Sequence, residues 1–182
     1  GLIAGLEPLN QKVISSALQL KAIARVGIGV ANVDFDAAKE YEVKVSSTPD
    51  GPVTAVAEMT LAALLTLCRN IIPTNAALHA GEWKKSIGMG LCGAKVLFVG
   101  YGRIGRRTGE LLEAFGAELI IFDPYIEDTA LPKGVRRVDS LQDGLRDADI
   151  ITLHAAGTDC MLDATAFKAM NEGVILLNSA RG

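Results

Sequence analysis

The chain has 182 residues, of which 49% are hydrophobic, and its 18 basic and 21 acidic side chains give a net charge of -3. That composition can bury a sizeable core, enough for one full domain and part of another, and it argues against disorder. No run of Lys or Arg forms the basic stripe that a nucleic-acid surface needs, so nucleic acid is not expected as a partner.

Cys68, Cys92 and Cys160 are odd in number and far apart. They match neither a disulfide framework nor a C-x-x-C metal or redox motif, so the expectations are a reducing, cytoplasmic setting, three buried thiols and no metal site. The apolar run from Val53 to Ile72 is interrupted by Glu58, Arg69 and several threonines, and it reads as a buried helix instead of a membrane span. The chain starts at Gly1 without Met and stops just after another apolar run, so both ends read as cut.

In chain order, a strand at Leu2 to Ala4 precedes a helix from about Leu9 to Leu18 and a strand from Lys21 to Val26. A short helix opens at Asp34, with Asn32 and Asp34 as capping residues, and Val43 to Ser46 forms a strand. The breakers Thr48-Pro49-Asp50-Gly51-Pro52 mark a hinge. The expected domains are therefore 1–51, part of a substrate-binding domain, and 52–182. An apolar helix from Thr54 runs on to about Ala80, with a break near Pro73 and Gly81 as its C-cap.

The second region reads as strand Lys95 to Val99, helix Ile104 to Phe115, strand Glu118 to Phe122 and a weaker strand from Val135 to Val138. A helix from Ser140 to Arg146, a strand from Ile150 to His154, a helix from Ala164 to Met170 and a strand from Val174 to Leu177 follow. Continuous Val, Ile and Leu strands alternating with helices predict a doubly wound parallel α/β sheet, the Rossmann architecture.

Gly100-Tyr101-Gly102-Arg103-Ile104-Gly105 is G-x-G-x-x-G, placed between an apolar strand and a helix. In that context Gly100 permits the tight turn, Gly102 lets the backbone approach a pyrophosphate and Gly105 lets helix and strand pack closely. The helix N-terminus adds N–H groups and a positive dipole end for the phosphates. Asp123 ends the next strand, 23 residues after Gly100, where a carboxylate can bond the adenosine ribose hydroxyls and repel a 2'-phosphate. The cofactor read from this spacing is NAD, with NADP left open by the nearby Arg103, Arg106 and Arg107.

Further segments carry a family resemblance: Arg25-Val26-Gly27-Ile28-Gly29-Val30-Ala31-Asn32-Val33-Asp34, Thr48-Pro49, Ala55-Val56-Ala57-Glu58-Met59-Thr60, Gly81-Glu82-Trp83 and Asn178-Ser179-Ala180-Arg181-Gly182. With the glycine motif they run collinearly over nearly the whole chain, which resembles the D-isomer-specific 2-hydroxyacid dehydrogenases, D-3-phosphoglycerate dehydrogenase-like members above all. The resemblance implies an NAD-binding Rossmann domain, incomplete at its C-terminus, preceded by part of a flavodoxin-like substrate domain. It also implies a hydride transfer between NAD and a D-2-hydroxy acid or 2-keto acid, and a homodimer formed through the nucleotide-binding domains, with the apolar helix around Met59 to Ile72 as a candidate interface.

Arg181 matches the family arginine that grips the substrate carboxylate, a task suited to a planar, permanently charged guanidinium. Backbone N–H groups at Ile28 and Gly29 are implied as substrate contacts, although Ala31 stands where the family has Asp. His154, Ala155 and Thr158, in a segment that lacks the family's Pro and Leu, are implied cofactor contacts with Ser179 and Ala180. His154 is not expected to be the catalytic base, and His79 is expected to be solvated. The family's Glu and His acid–base pair is expected beyond Gly182, so no turnover is expected of these 182 residues alone. The alternative is a non-catalytic NAD-sensing or interaction module on the same fold.

Overall fold

The computed structural model describes residues 1–127, 129, 131–132, 134–155 and 160–180. The chain divides into two compact units, Gly1–Thr54 and Ala55–Gly182.

In the first unit, β1 (Leu2–Ala4), β2 (Ala22–Arg25) and β3 (Lys44–Ser47) form a parallel sheet in that order. Two short helices connect them, α1 (Gln11–Ser16) and α2 (Phe35–Glu40). Each starts on a side-chain cap: Asn10 Oδ1 accepts from Val13 N at 3.1 Å and Asp34 Oδ1 from Ala37 N at 2.9 Å, which satisfies an N–H that the first helical turn leaves unpaired. Asp34 thus caps as expected. Asn32 does not: its Nδ2 donates to the carbonyls of Gly5 and Glu7 at 3.2 and 2.8 Å and ties two loops together. Ala4 and Ile23 pack with Ile14, Ala37 and Ala38 on the covered face of the sheet, while Ile3 and Ala24 are exposed.

The second unit begins within α3 (Val53–Cys68), followed by α4 (Ile71–His79). The axis turns by 62° between them. The break falls at Asn70, which takes a left-handed conformation with φ 52°, and not at Pro73. Pro73 is the third residue of α4, where its missing N–H costs nothing, so it favours a helix start more than an end. Among the described residues no single helix is long and apolar enough to cross a membrane.

β4 (Lys95–Val99), β5 (Glu118–Phe122), β6 (Arg136–Arg137), β7 (Ile150–Leu153) and β8 (Ile175–Asn178) form one parallel sheet in the order β6-β5-β4-β7-β8. The helices α5 (Arg103–Ala114), α6 (Leu141–Asp147) and α7 (Ala164–Ala169) make the crossovers. Alternate strand residues feed two cores. Val96, Phe98, Leu119, Ile121 and Ile150 pack with Leu64 and Cys68 of α3 and Leu112 of α5; Leu97, Val99, Ile120 and Ile151 pack with Leu145 and Ala166 of α6 and α7. With both faces covered, the strands are continuous hydrophobic runs, as a buried parallel sheet requires.

The expected burial of three thiols is corrected here. Cys68 is in the core, but Cys92 and Cys160 are exposed, because they lie in polar loops outside the strands and helices that fill it.

Leu112 is fully buried in the α3 and α5 core. Leu112→Ala is expected to destabilise the second unit by roughly 2–5 kcal/mol through lost transfer energy and a residual cavity. Its denaturant midpoint should fall while the first unit's transition stays in place.

Candidate functional site

The sheet of the second unit changes direction between β4 and β7, since the strand after β4 pairs on one side and β7 on the other. In open α/β sheets the crevice at the carboxyl ends of such strands is where ligands bind. The glycine motif is located there. Gly100 has φ +89°, and a Cβ on it would lie 2.6 Å from the Ala155 nitrogen and 2.9 Å from the His154 carbonyl carbon, so only glycine lets the ends of β4 and β7 meet. A Cβ on Gly105 would lie 2.8 Å from the Gly100 carbonyl oxygen, which is the close helix–strand packing expected at that position.

Gly102 differs from both. Its φ of -73° and ψ of -157° are open to any residue, and a Cβ there would meet nothing within 4 Å. Nothing in the protein itself requires glycine at this position. It is also the N-cap of α5 and provides no side-chain acceptor for the first-turn N–H groups of a 12-residue helix. A bare backbone cradle at the positive end of a helix fits a pyrophosphate.

Asp123 is half-buried where β5 ends. Its Oδ2 accepts from Tyr101 N at 2.8 Å and its Oδ1 from Tyr125 N at 2.9 Å, so this carboxylate also holds the glycine loop in shape. Tyr101 itself lies buried under the loop, edge-on to Phe98 with ring centroids 5.4 Å apart, and the Arg106 guanidinium sits 5.6 Å from its ring centroid.

His154 follows β7 on the Phe98 side of the sheet. Its ring stacks on Phe98 at 5.6 Å with an interplanar angle of 20°. Nε2 lies 2.9 Å from Thr152 Oγ1 and Nδ1 lies 3.1 Å from Ser179 Oγ, so both ring nitrogens are engaged within the protein. Burial pushes its pKa down to about 4. Ala180 N donates to Asn178 Oδ1 at 2.9 Å and bends the chain as it leaves β8.

In the first unit, Gly27 has φ +127°, and its N–H donates to Thr48 Oγ1 at 2.8 Å while its carbonyl accepts from Thr48 N at 3.2 Å. Thr48 therefore fixes the loop that carries the half-buried Ile28 and Gly29. Arg25 is buried beside it, and its Nη1 donates to the Val26 carbonyl.

The structure thus gathers Gly100, Gly102, Arg103, Ile104, Gly105, Asp123, His154, Ala155, Ser179 and Ala180 at one end of one sheet, whereas Ile28 and Gly29 belong to the other unit. Thr158 and Arg181 lie outside the described residues. His79 is exposed, as expected. Sequence reasoning missed Tyr101, Phe98 and Thr152, the aromatic and hydroxyl support beneath the loop. The one available signal was Thr152, a hydroxyl within an otherwise apolar strand. A concavity of about 470 Å³ at the opposite, amino end of the sheet is lined by Lys95, Glu118, Arg136 and Asp147. Asp147 pairs with both of those cations, by 2.6 Å to Lys95, so their charge is already answered within the protein.

Residues 61–182 match the family model described as the NAD binding domain of D-isomer specific 2-hydroxyacid dehydrogenases. The chain belongs to this family. Its cofactor is NAD. Similar proteins include the D-3-phosphoglycerate dehydrogenase of Methanocaldococcus jannaschii, 37% identical over 96% of this chain and 34% of its own length. The hydroxypyruvate reductase of Thermotoga maritima is 34% identical over 93% of this chain and 56% of its own length. The chain therefore spans between a third and little more than half of these relatives. The crystal structure of the TT0316 protein from Thermus thermophilus superposes on all of this chain and 60% of its own with a TM-score of 0.92 at 34% identity.

A mostly covered imidazole whose folded pKa lies below its unfolded value of about 6.5 stabilises the fold above that value, and the contribution is lost as pH falls toward 4. The full effect is roughly 3 kcal/mol at 1.36 kcal/mol per unit. His154→Phe, which cannot titrate, is expected to show a shallower drop in thermal midpoint than the parent chain between pH 6.5 and 4. Parallel curves would refute the assignment.

Proposed function

We propose that the protein carrying these residues is an oxidoreductase that interconverts a D-2-hydroxy acid and its 2-keto acid with NAD, with a D-3-phosphoglycerate dehydrogenase-like preference. The bare backbone at Gly102 carries this reading, because a glycine that the protein's own packing does not need is explained by a ligand at that point. In this assignment Gly100, Gly102, Arg103, Ile104 and Gly105 cradle the pyrophosphate, and Asp123 bonds the adenosine ribose. Ala155, Ser179 and Ala180 are assigned to the nicotinamide or adenine pocket, with His154 as part of the wall and Thr158 included by the family resemblance.

NAD, which Gly100, Gly102, Gly105 and Asp123 would hold, would supply the hydride acceptor for oxidation at C2 of the hydroxy acid. Arg181 holds the substrate carboxylate and polarises the C2 oxygen, and the N–H groups of Ile28 and Gly29 bond the same end of the substrate. Oxidation also releases the hydroxyl proton, which a base must take. Arg181 stays protonated, and among the described residues His154 has both nitrogens engaged, so the base is neither of these.

The apolar side chains of Met59, Leu67, Ile71, Ile72 and Leu78 are exposed along α3 and α4. A patch of this kind supports a homodimer, and a monomeric mass by light scattering of the intact protein would refute it. The three free cysteines accord with a cytoplasmic, reducing setting.

Gly102→Val, at a helix N-cap where Val is disfavoured, is expected to lower the thermal midpoint by only a few degrees and to weaken NAD binding at least tenfold, read by titration calorimetry of the 182-residue chain. The same chain is expected to bind NAD more tightly than NADP and to turn over no D-2-hydroxy acid. Unchanged affinity in the Val variant would remove the pyrophosphate from this loop.

A further inference from the structure

His154 makes contacts that its place in a cofactor pocket does not explain. It joins three separate segments: its ring lies flat on Phe98 of β4, Nε2 meets Thr152 in its own strand β7, and Nδ1 meets Ser179 immediately after β8. The strands β7 and β8 pair from Ile150 with Ile175 to Leu153 with Asn178, so the imidazole links them just where the backbone ladder stops. The same ring plane continues the aromatic support under the glycine loop, because Phe98 also meets Tyr101.

The hydrogen bonds around the ring assign its proton. Ser179 Oγ has one hydrogen, and it lies 3.3 Å from the Leu153 carbonyl oxygen, which can only accept. With that hydrogen on the carbonyl, Nδ1–H donates to Ser179 Oγ and Nε2 accepts from the Thr152 hydroxyl. Every donor then has an acceptor, as expected of a part-buried polar network. Ala180 N is held in turn by Asn178 Oδ1. Residues 178–180 are thus tied to β7 through Ser179 and braced within the segment by the Asn178 bond, directly before Arg181 in the sequence.

We propose that His154 is a positioning residue: through the Nδ1–H to Ser179 bond it sets the backbone that directly precedes, in the sequence, the arginine assigned above to the substrate carboxylate. It acts on the substrate end of the site through Ser179. This rests on the assignment of Arg181 to the carboxylate given above. The two halves of the ring have separable roles, since the Thr152 bond lies within one strand and only the Ser179 bond crosses to the strand that leads to Arg181.

An Asn side chain places its amide near the Nδ1 position and a Gln near Nε2, so the two substitutions test the halves separately. In the intact enzyme, His154→Gln and Ser179→Ala are each expected to raise the KM for the 2-keto acid about tenfold. The KM for NADH should rise less than that for the 2-keto acid, and the double variant should be no worse than either single one. His154→Asn is expected to recover most of the loss. In the 182-residue chain, amide hydrogen exchange at Ser179 and Ala180 should quicken in His154→Gln and Ser179→Ala but not in His154→Asn, while the Gly102 to Gly105 amides remain unchanged. Equal losses in the Asn and Gln variants, additive effects in the double variant, or exchange that quickens everywhere together would overturn the proposal in favour of a merely structural histidine. If the wild-type intact protein reduces no 2-keto acid, the proposed reaction fails, and the exchange pattern alone still decides whether His154 holds the end of β8.

Discussion

The backbone of Gly100 passes so close to that of His154 and Ala155 that a single added carbon at Gly100 would sit 2.6 Å from the Ala155 nitrogen. This contact is where β4 and β7, neighbours in the sheet but more than 50 residues apart in sequence, end together. The rest of the site follows from it. Because the two strand ends abut, the loop after β4 must turn away at once, which brings Gly102 to the start of α5. Gly105 then has to pack against the Gly100 carbonyl, and the next strand ends with its carboxylate beneath the same loop.

A loop held this tightly needs support from below, and the interior supplies it mostly with ring systems. Tyr101, Phe98 and His154 form a continuous aromatic layer on one face of the sheet. Burial keeps the imidazole uncharged, so it can accept at one nitrogen and donate at the other. A charged ring there would donate at both nitrogens and would conflict with the hydroxyl arrangement around it. The polar elements of this core, Thr152, Ser179 and the ring between them, are therefore as specific as the apolar packing around them.

Much of the second unit was legible because its signals are local. β4 and β5 coincide with the runs Lys95 to Val99 and Glu118 to Phe122, since a strand buried on both faces has no polar residue to blur its limits. The glycine motif was legible for the same reason: two of its three glycines answer to steric contacts within a few residues or an adjacent strand. The failures mostly involve partners distant in sequence. Asn32 has the residue type of a helix cap and instead bonds loop carbonyls 25 and 27 residues earlier. The bond of His154 to Ser179 spans 25 residues and exists only once β7 and β8 are paired. Asn70 is a different case: it broke the long helix where Pro73 drew attention, because only the backbone conformation reveals a left-handed residue.

Asp123 has a consequence for anyone who would redesign this fold to use a different nucleotide. Its two oxygens already receive the Tyr101 and Tyr125 amides, so the carboxylate proposed to bond the ribose is also a structural clamp on the loop. Replacing it with a small neutral residue to admit a 2'-phosphate would release two amides at the same moment that it enlarged the pocket. Selectivity and loop geometry are therefore linked in one side chain. A successful exchange would have to bring a new acceptor for the Tyr101 amide together with the new cation, and libraries that vary position 123 alone would sample mostly distorted loops.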